Sequence, residues 1–461
     1  MALAVVGAFG APVRRPARRL PLAHTSIARE SMLPSPRCSR SATRIVAAAT
    51  LMIAAACAGS GPPAARVVVA PGASASGAPN ITTAPDPSDD GTPFPPAGHA
   101  NLSFRHSVVT EGGSYLSPLI EIFGDVAIAR RVFIASNTIL RADPGTRICV
   151  GEATNLQDNI LLLALRNSPV PTALGTTCGL RASTLADSVS IAHQATIRNS
   201  RIGRFTFVGF RAFLDNVVLE EGAFVLHGAV VRNVRVGRNR LVPVGAVIST
   251  QEQADALALK SAKESQFQLD VLGVNTELAS EYAALYRAGG FDMVTKVSPS
   301  PRTSFNPGLW PTLGANVHLL EFARVVGDVR IGANSVTGRR TSIRADEGTP
   351  IEIGANAVIR DRVTFHALKG TSIRVGDGLK TESNIVFHGP LTVGDRLTVG
   401  DDAIIYNSRI GNDVTVGTGS MVLGVTVRDG VTVPDGVIVQ TQAAADALTV
   451  TRRPAGSAGT R

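Results

Sequence analysis

The histidines of this chain are residues that could take part in chemistry, because a neutral imidazole can bind a metal ion. His193 lies in the first half, and His366 and His388 lie in the second half. Three neutral imidazoles with one open coordination position make a catalytic rather than a structural zinc site. Zinc held in this way lowers the pKa of its water to about 7 and supplies hydroxide at neutral pH. A single histidine in a repetitive β fold is more often a turn or interface residue, so the remaining histidines, including His227, are assigned no role.

The composition of the 461-residue chain is typical of a repetitive β structure. Apolar residues make up 44% and charged residues 18%, which allows a sizeable core and excludes wholesale disorder. Aromatic residues are scarce at 5%, whereas glycine occurs 45 times. Few aromatics among many aliphatic and glycine residues favour short strands and turns over a helical bundle.

Most of the net charge of +9 belongs to the N-terminal segment. Eight arginines against one glutamate give residues 1–56 a charge of +7, which leaves +2 for the rest of the chain. Because that rest has no basic patch with interleaved aromatics, the sequence excludes nucleic-acid binding.

Residues 1–57 are predicted to be an export signal, with Met32 as an alternative start. The apolar stretch Ile45–Ala56 follows three arginines and is too short to span a bilayer, but it is typical of a signal sequence. Cys57 then stands in a segment that resembles the lipobox of bacterial lipoproteins, in which the cysteine is lipidated; the alternative is a chance cysteine beside an apolar segment. We therefore expect an exported protein, lipid-anchored on the outer side of the cytoplasmic membrane or secreted. Residues 58–98, rich in proline, alanine and glycine, are predicted to be a disordered tether.

The body of the chain contains two further cysteines, Cys149 and Cys178. Outside the cytoplasm they could form a disulfide bond. Two buried free thiols are the alternative, and the sequence leaves both open.

Aliphatic residues recur every six positions along the body of the chain. Ile202, Val208 and Leu214 form one such series, and Ile410 and Val416 belong to another. A six-residue period suits neither an isolated helix nor an alternating strand. It is typical of the left-handed parallel β-helix, in which three short strands make one triangular coil of about 18 residues. The sequence therefore predicts an all-β fold of this hexapeptide-repeat type.

A longer repeat shows that this unit occurs twice in tandem. Gly124-Asp125-Val126 recurs as Gly327-Asp328-Val329, at an offset of 203 residues. The predicted organisation comprises four consecutive segments: β-helix copy 1 (99–250), an α-helical segment with a linker (251–314), β-helix copy 2 (315–440), and a short helix with a polar tail (441–461).

Motifs in both copies resemble the γ-class carbonic anhydrases, which are trimeric left-handed β-helices with a metal at each subunit interface. The segments that carry the resemblance are Arg141-Ala142-Asp143-Pro144-Gly145, Asn155-Leu156-Gln157-Asp158, Ile191-Ala192-His193-Gln194, Arg344-Ala345-Asp346-Glu347-Gly348, Val363-Thr364-Phe365-His366-Ala367-Leu368 and Phe387-His388-Gly389-Pro390. The resemblance covers nearly all of both copies and implies the hydration of CO2 to bicarbonate.

The resemblance also implies a role for individual residues. His193, His366 and His388 would be the metal ligands, with zinc as the expected metal and iron or cobalt as alternatives. Gln157 would orient the hydroxide, and Glu347 would relay protons. A further set of polar residues would be structural residues of the interface: Arg141, Asp143, Asn155, Asp158, Arg344 and Asp346.

Neither copy retains all three ligands. Copy 1 has Leu163 and Arg198 at the first and third ligand positions, and copy 2 has Ser383 at the second. In the family the first and third histidines come from one subunit and the second comes from its neighbour. We therefore predict one hybrid site, in which His193 of copy 1 completes the pair in copy 2.

Alternative functions remain open at this point. A β-helix lipoprotein that has lost its chemistry would have a binding or scaffold role, and an acyltransferase is a further alternative because many left-handed β-helices are acyltransferases. Three domains close a ring in the family, so the two copies are expected to form an intramolecular pseudo-oligomer or part of a homo-oligomer.

Overall fold

The computed structural model describes residues 113–166 and 182–451, together with the backbone of three preceding strands: Arg66–Val69, Ile81–Thr83 and Val108–Thr110. These residues belong to one compact unit, Ser60–Arg461. Within the described part of the chain, no helix is both long enough and apolar enough to cross a bilayer. The predicted export signal and Cys57 lie outside the described residues.

Copy 1 is a β-helix with three sheets, and each coil contributes one strand to each sheet. Sheet 1A consists of Arg66–Val69, Asp125–Ile128, Arg147–Val150, Ala182–Leu185, Arg201–Ile202, Val218–Leu219 and Arg235–Val236. Sheet 1B consists of Ile81–Thr83, Val108–Thr110, Tyr115–Leu116, Phe133–Ile134, Asn155–Leu156, Ser190–Ile191, Phe207–Val208, Phe224–Val225 and Leu241–Val242. Sheet 1C consists of Glu121–Phe123, Ile139–Ala142, Leu161–Ala164, Thr196–Arg198, Phe213–Asp215, Val230–Arg232 and Val247–Ile248. Strands pair in parallel, except at the N-terminal edge of sheet 1B.

Copy 2 repeats this architecture with three parallel sheets. Sheet 2A consists of Val297–Ser298, Arg324–Gly327, Ser342–Ala345, Thr364–Ala367, Val386–Gly389, Ile404–Tyr406, Met421–Leu423 and Ile438–Val439. Sheet 2B consists of Thr312–Leu313, Val329–Ile331, Ile351–Ile353, Ile373–Val375, Leu391–Val393, Arg409–Ile410 and Thr426–Val427. Sheet 2C consists of His318–Leu319, Val336–Thr337, Val358–Ile359, Lys380–Thr381, Thr398–Val399, Thr415–Val416 and Thr432–Val433. The predicted fold of tandem left-handed β-helices is confirmed.

The six-residue series fill the interiors of the two β-helices. Ile202, Val208 and Leu214 are at most 1% exposed in copy 1, and Val416 is fully buried in copy 2. Each copy has its own apolar core. Burial of each such side chain contributes about 1.5–3 kcal/mol, so the repeat itself supplies most of the driving force for coiling.

The repeated Gly-Asp-Val motif marks a corner that requires glycine. Gly124 and Gly327 adopt φ angles of +79° and +80°, a region that other residues seldom enter. A Cβ atom on them would lie 2.0 Å from the carbonyl oxygen of Ala142 and 2.4 Å from that of Ala345, respectively. The close approach of the next coil therefore explains why this motif occurs in both copies.

The helices lie after each β-helix, as predicted. Helix α1 spans Gln251–Asp255, α2 spans Ala262–Gly289, a 3-10 turn spans Phe291–Val294, and α3 spans Gln442–Asp446. A capping box between Ser261 and Glu264 begins α2, because these side chains satisfy free N–H groups of the first turn. The buried face of α2, including Leu278 and Tyr282, packs against Tyr115 and Phe133 of sheet 1B.

Four strands lie where the sequence analysis expected a tether or linker: Arg66–Val69, Ile81–Thr83, Val297–Ser298 and Thr312–Leu313. Arg66–Val69 pairs in parallel with Asp125–Ile128, although it lies in the predicted disordered tether. Its run of valines favours a strand locally, which the composition of the whole segment conceals. Val297–Ser298 pairs in parallel with Arg324–Gly327, so sheet 2A begins within the predicted linker.

The two copies pack against each other through sheets 1B and 2A. Phe207, Phe210 and Phe224 of copy 1 share an apolar cluster with Val386 and Met421 of copy 2. Helix α2 packs on the same sheet of copy 1. Outward-facing residues of sheets 1B and 2A are therefore buried, and this interface holds the candidate site.

Candidate functional site

Two ladders of side chains face each other where the copies meet. The ladder of copy 1 has one residue from each of four successive coils, three positions after the start of each strand: Asp158, His193, Phe210 and His227. The ladder of copy 2 is fixed by strand register: Arg344, His366, His388 and Tyr406. The regular stacking of coils thus places side chains that are distant in sequence next to each other.

The three predicted metal ligands converge between these ladders. His193 Nε2 lies 3.3 Å from His366 Nδ1, which in turn lies 3.3 Å from His388 Nε2. One nitrogen from each ring falls within 4.8 Å of both others, and all three residues are buried. In the described part of the chain this is the one cluster of histidine, cysteine or carboxylate side chains with such a geometry.

The opposite ring nitrogens of two histidines face hydrogen-bond acceptors. His366 Nε2 lies 3.2 Å from Asp346 Oδ1, and His388 Nδ1 lies 3.2 Å from the carbonyl oxygen of Gly389. In a neutral ring with its hydrogen on the nitrogen that faces the acceptor, the other nitrogen keeps its lone pair. Both lone pairs therefore point toward the centre of the cluster.

His193 is oriented by a carboxylate of its own copy. Its Nδ1 lies 3.4 Å from Asp158 Oδ2, which is within ion-pair distance. Burial lowers the pKa of His193 to about 4, although Asp158 opposes that shift. Burial also holds the pKa of His388 well below its usual value, and the neighbouring rings add to the effect. These two rings are therefore neutral at pH 7.

The donor set fits a divalent metal. Two nitrogens at 2.0–2.1 Å from a tetrahedral zinc ion lie about 3.3–3.4 Å from each other, which is close to the 3.3 Å separations within the cluster. Three converging lone pairs repel one another unless a cation lies between them. Acceptors behind each ring are the usual second shell of histidine ligands.

Arg344 links the two copies next to the histidines. Its Nε donates to Asp158 Oδ2 at 2.8 Å, its Nη2 donates to Gln157 Oε1 at 2.8 Å, and its Nη1 donates to Asp346. Burial alone would raise the pKa values of both carboxyls, but Arg344 and the adjacent histidines hold them well below their usual range. Tyr282 of α2 also donates its hydroxyl to Asp346 Oδ2 at 2.5 Å.

Helix α2 fixes the amide of Gln157. Gln157 Nε2 donates to Asn275 Oδ1 at 2.7 Å, and Asn275 Nδ2 donates to the Val271 carbonyl at 2.9 Å. Asn155, two residues before Gln157 in the same coil, donates to Ser190 Oγ at 2.8 Å. Both amides line the cavity beside the histidines. Sequence reasoning missed Asn275, although the spacing of Gln268, Asn275 and Tyr282 by seven residues in a helix indicated a shared face.

Glu347 lies on the other side of His366. Its Oε2 is 3.8 Å from His366 Nε2, and its Oε1 accepts a hydrogen bond from the Lys369 backbone N–H at 2.9 Å. Burial raises the pKa of Glu347, while His366 opposes the shift. The Glu347 carboxyl therefore takes up its proton at a higher pH than the carboxyl of an exposed glutamate.

The cluster opens into a cavity of about 40 Å³ at the interface of the copies. A larger depression of about 670 Å³ lies outside it, between α2 and the turn at Lys369. Phe267, Val271, Glu347 and Leu368 line both, so these residues form the passage between the histidines and the surface. His227, to which the sequence analysis assigned no role, also lines the inner cavity.

Other predicted residues lie away from the cluster. Arg141 donates to Asp143 Oδ1 at 2.9 Å within copy 1, where the arginine side chain is 57% exposed. Neither residue makes a hydrogen bond or ion pair to copy 2 in the described part of the chain, so the interface role of this pair stays a prediction. Arg198 lies 3.5 Å from Asp215 in the same sheet. Cys149 is disulfide-bonded; Cys178 lies outside the described residues, so their pairing stays a prediction.

Comparisons with known proteins find carbonic anhydrases and carboxysome assembly proteins. The carbonic anhydrase of Methanosarcina thermophila is 31% identical over 183 residues, which are 38% of this chain and 74% of that protein. The carboxysome assembly protein CcmM of a Nostoc species is 33% identical over 170 residues, 37% of this chain and 30% of that protein. The mitochondrial gamma carbonic anhydrase 1 of Arabidopsis thaliana is 30% identical over 123 residues, 26% of this chain and 40% of that protein. The chain thus spans less than half the length of the latter two. No family model matches the chain.

Proposed function

The chain belongs to the γ-class carbonic anhydrase family, and we propose that it hydrates CO2 to bicarbonate at one hybrid site, where His193 of copy 1 joins His366 and His388 of copy 2 around a metal ion. One observation carries the proposal. Three buried imidazoles from two copies direct a ring nitrogen to one point, and an acceptor stands behind each ring. This is the arrangement that a neutral three-histidine site requires.

The residues around the cluster would divide the work. A zinc, iron or cobalt ion held there would act as a Lewis acid and make water a nucleophile at neutral pH. Gln157, locked between Arg344 and Asn275, would orient that nucleophile with its remaining amide hydrogen. Glu347 would take up the released proton at Oε2, because burial raises the pKa of its carboxyl.

The size of the cavity supports a very small substrate. About 40 Å³ leaves room for roughly three water-sized groups, which suits CO2 and bicarbonate. An acyltransferase would need to bring a CoA-type donor to the same histidines, and the inner cavity has no room for one.

We also propose that the protein acts outside the cytoplasm as a pseudo-oligomer within one chain. The apolar stretch before Cys57 and the small residues after it support an export signal with a lipid on that cysteine. The burial of sheets 1B and 2A against each other supports an intramolecular version of the family's subunit interface.

Metal content tests the hybrid site directly. We expect His193→Ala to abolish metal binding as completely as His366→Ala combined with His388→Ala, because each change leaves fewer than three ligands. His318→Ala is the matched control, since His318 is an exposed histidine on sheet 2C. Zinc, iron and cobalt would be measured by elemental analysis, and CO2 hydration by stopped flow.

Two results would overturn the proposal. Unchanged metal content in His193→Ala would show that copy 1 contributes no ligand. A wild-type protein that takes up no metal would favour the alternative of a binding or scaffold protein.

A further inference from the structure

His227 is a polar residue of the inner cavity that none of the roles above uses. It is 8% exposed and lies two coils beyond His193 in the ladder of copy 1. Its ring stacks on Phe210 at a centroid distance of 4.3 Å and meets the ring of Tyr406 edge-on at 5.4 Å. Flat aromatic neighbours from both copies therefore fix its orientation.

The backbone fixes the tautomer of His227. The Phe210 N–H donates to His227 Nδ1 at 3.2 Å, so Nδ1 carries the lone pair. Burial lowers the pKa of His227 to about 4, which keeps the ring neutral at pH 7. The one ring hydrogen is then on Nε2. Within residues 113–166 and 182–451 the ring makes no other hydrogen bond.

A fixed N–H group in an apolar cavity calls for an acceptor. His227 Nε2 keeps a small accessible surface and the residue lines the cavity, so its N–H can donate to a molecule there, as polar groups in nearly buried places usually do. The surrounding walls, Phe207, Phe210 and Tyr406, offer flat apolar faces in a cavity of about 40 Å³. A planar molecule of three or four heavy atoms with oxygen acceptors matches both features.

We propose that His227 Nε2–H holds one oxygen of a small trigonal oxyanion, such as bicarbonate, at the end of the cavity beside Phe210 and Tyr406. The inference rests on the proposed function, which makes bicarbonate the product. Because Phe210 separates His227 from His193 in the ladder, this subsite lies beyond the three histidines. It gives the product a position away from them before it leaves.

Two substitutions of His227 separate its two nitrogens. His227→Gln keeps a donor near the place of Nε2 but lacks the acceptor of Nδ1, whereas His227→Asn keeps an acceptor near Nδ1 and lacks the distant donor. The affinity of the full chain for nitrate, a trigonal oxyanion that does not titrate, would be measured by calorimetry in zinc-loaded and metal-free protein. We expect His227→Asn to weaken nitrate binding roughly ten- to a hundredfold, since hydrogen bonds to charged groups are worth that much. His227→Gln should stay within about threefold of wild type.

The outcomes distinguish this subsite from the proposed reaction. Equal nitrate affinity in wild type and His227→Asn would overturn the subsite, as would a loss in His227→Gln alone, which would indicate that His227 only holds the Phe210 backbone. Failure of wild type to bind nitrate in either form would overturn it too and would leave a water molecule as the partner of Nε2. If the protein takes up no zinc, the proposed function fails, and the metal-free titration still decides the subsite.

Discussion

Arg344 and Arg141 occupy the same motif position in the two copies, yet their surroundings differ completely. The Arg344 side chain is 1% exposed; it bonds Asp158 and Gln157 across the interface and Asp346 within copy 2. The Arg141 side chain is 57% exposed and pairs with Asp143 alone. Arg141 is therefore a matched control within the same chain for the contribution of the buried Arg344 to the free energy of unfolding.

We expect Arg344→Met to lower the free energy of unfolding by about 3–5 kcal/mol, because it leaves two buried carboxylates without their cation. Arg141→Met should cost less than about 1 kcal/mol, since an exposed ion pair is screened by water. Methionine is an uncharged side chain similar in length to the aliphatic part of arginine, so both variants remove the charge and keep most of the packing. Urea unfolding followed by far-ultraviolet circular dichroism, with the metal-free protein, measures both values.

The stability difference between Arg344→Met and wild type should also depend on pH. Arg344 holds the pKa values of Asp158 and Asp346 well below the usual range, so wild type keeps the stability from this network above about pH 4 and loses it as the pH falls further. Without Arg344, burial raises both pKa values, and the carboxyls take up protons at higher pH. The gap between Arg344→Met and wild type should therefore shrink between pH 7 and pH 4. An equal loss for both arginine variants, or a gap that grows on acidification, would refute the reasoning.

Three further predictions concern other parts of the chain. Cys57→Ser should release the protein from the membrane fraction, because no acyl chain can then be attached. Asn275→Leu should lower kcat/KM for CO2 roughly tenfold at unchanged metal content, because Gln157 loses the partner that positions its amide. Metal-free wild type should lose about 2 kcal/mol more of its free energy of unfolding than His227→Phe between pH 7.5 and pH 5. Burial lowers the pKa of His227 to about 4 in the folded protein, so the ring stays neutral there, whereas the unfolded chain takes up a proton on this ring below about pH 6.5.

Each of these has a clear contrary result. A Cys57→Ser protein that still sediments with membranes, with no lipid on either form, contradicts the lipobox. Full activity in Asn275→Leu, or loss of its metal, removes the positioning role. Parallel stability profiles for wild type and His227→Phe show that His227 takes up its proton in the folded protein as easily as in the unfolded one.

The sequence predicts the interior of each β-helix well because the coil geometry produces a six-residue repeat of buried aliphatic residues. Ile202, Val208 and Leu214 point inward whatever lies outside them, since a six-residue step returns the chain to the same side of the coil. The three histidines were found for a different reason, which is that their segments resemble a family. Their convergence between copies could not follow from either half of the chain by itself.

A local sequence pattern could not predict the contacts between outward-facing side chains of the two copies and α2. His227 lines the cavity because Tyr406 of copy 2 and Phe210 of copy 1 close around it, and no period relates positions 227 and 406. Asn275 reaches Gln157 because α2 packs on sheet 1B. The Arg-x-Asp motif does not distinguish the buried Arg344 from the exposed Arg141, because their surroundings depend on how the copies pack.

Each copy has three sheets, and the interface between the copies is formed by sheet 1B of copy 1 and sheet 2A of copy 2. Leu163 and Arg198 of copy 1 lie in sheet 1C. Ser383 of copy 2 follows the strand Lys380–Thr381 of sheet 2C, so these three positions lie outside sheets 1B and 2A. His193, His366 and His388 instead lie where the two copies bury each other. The proposed split of ligands between the copies therefore agrees with which sheets cover each other.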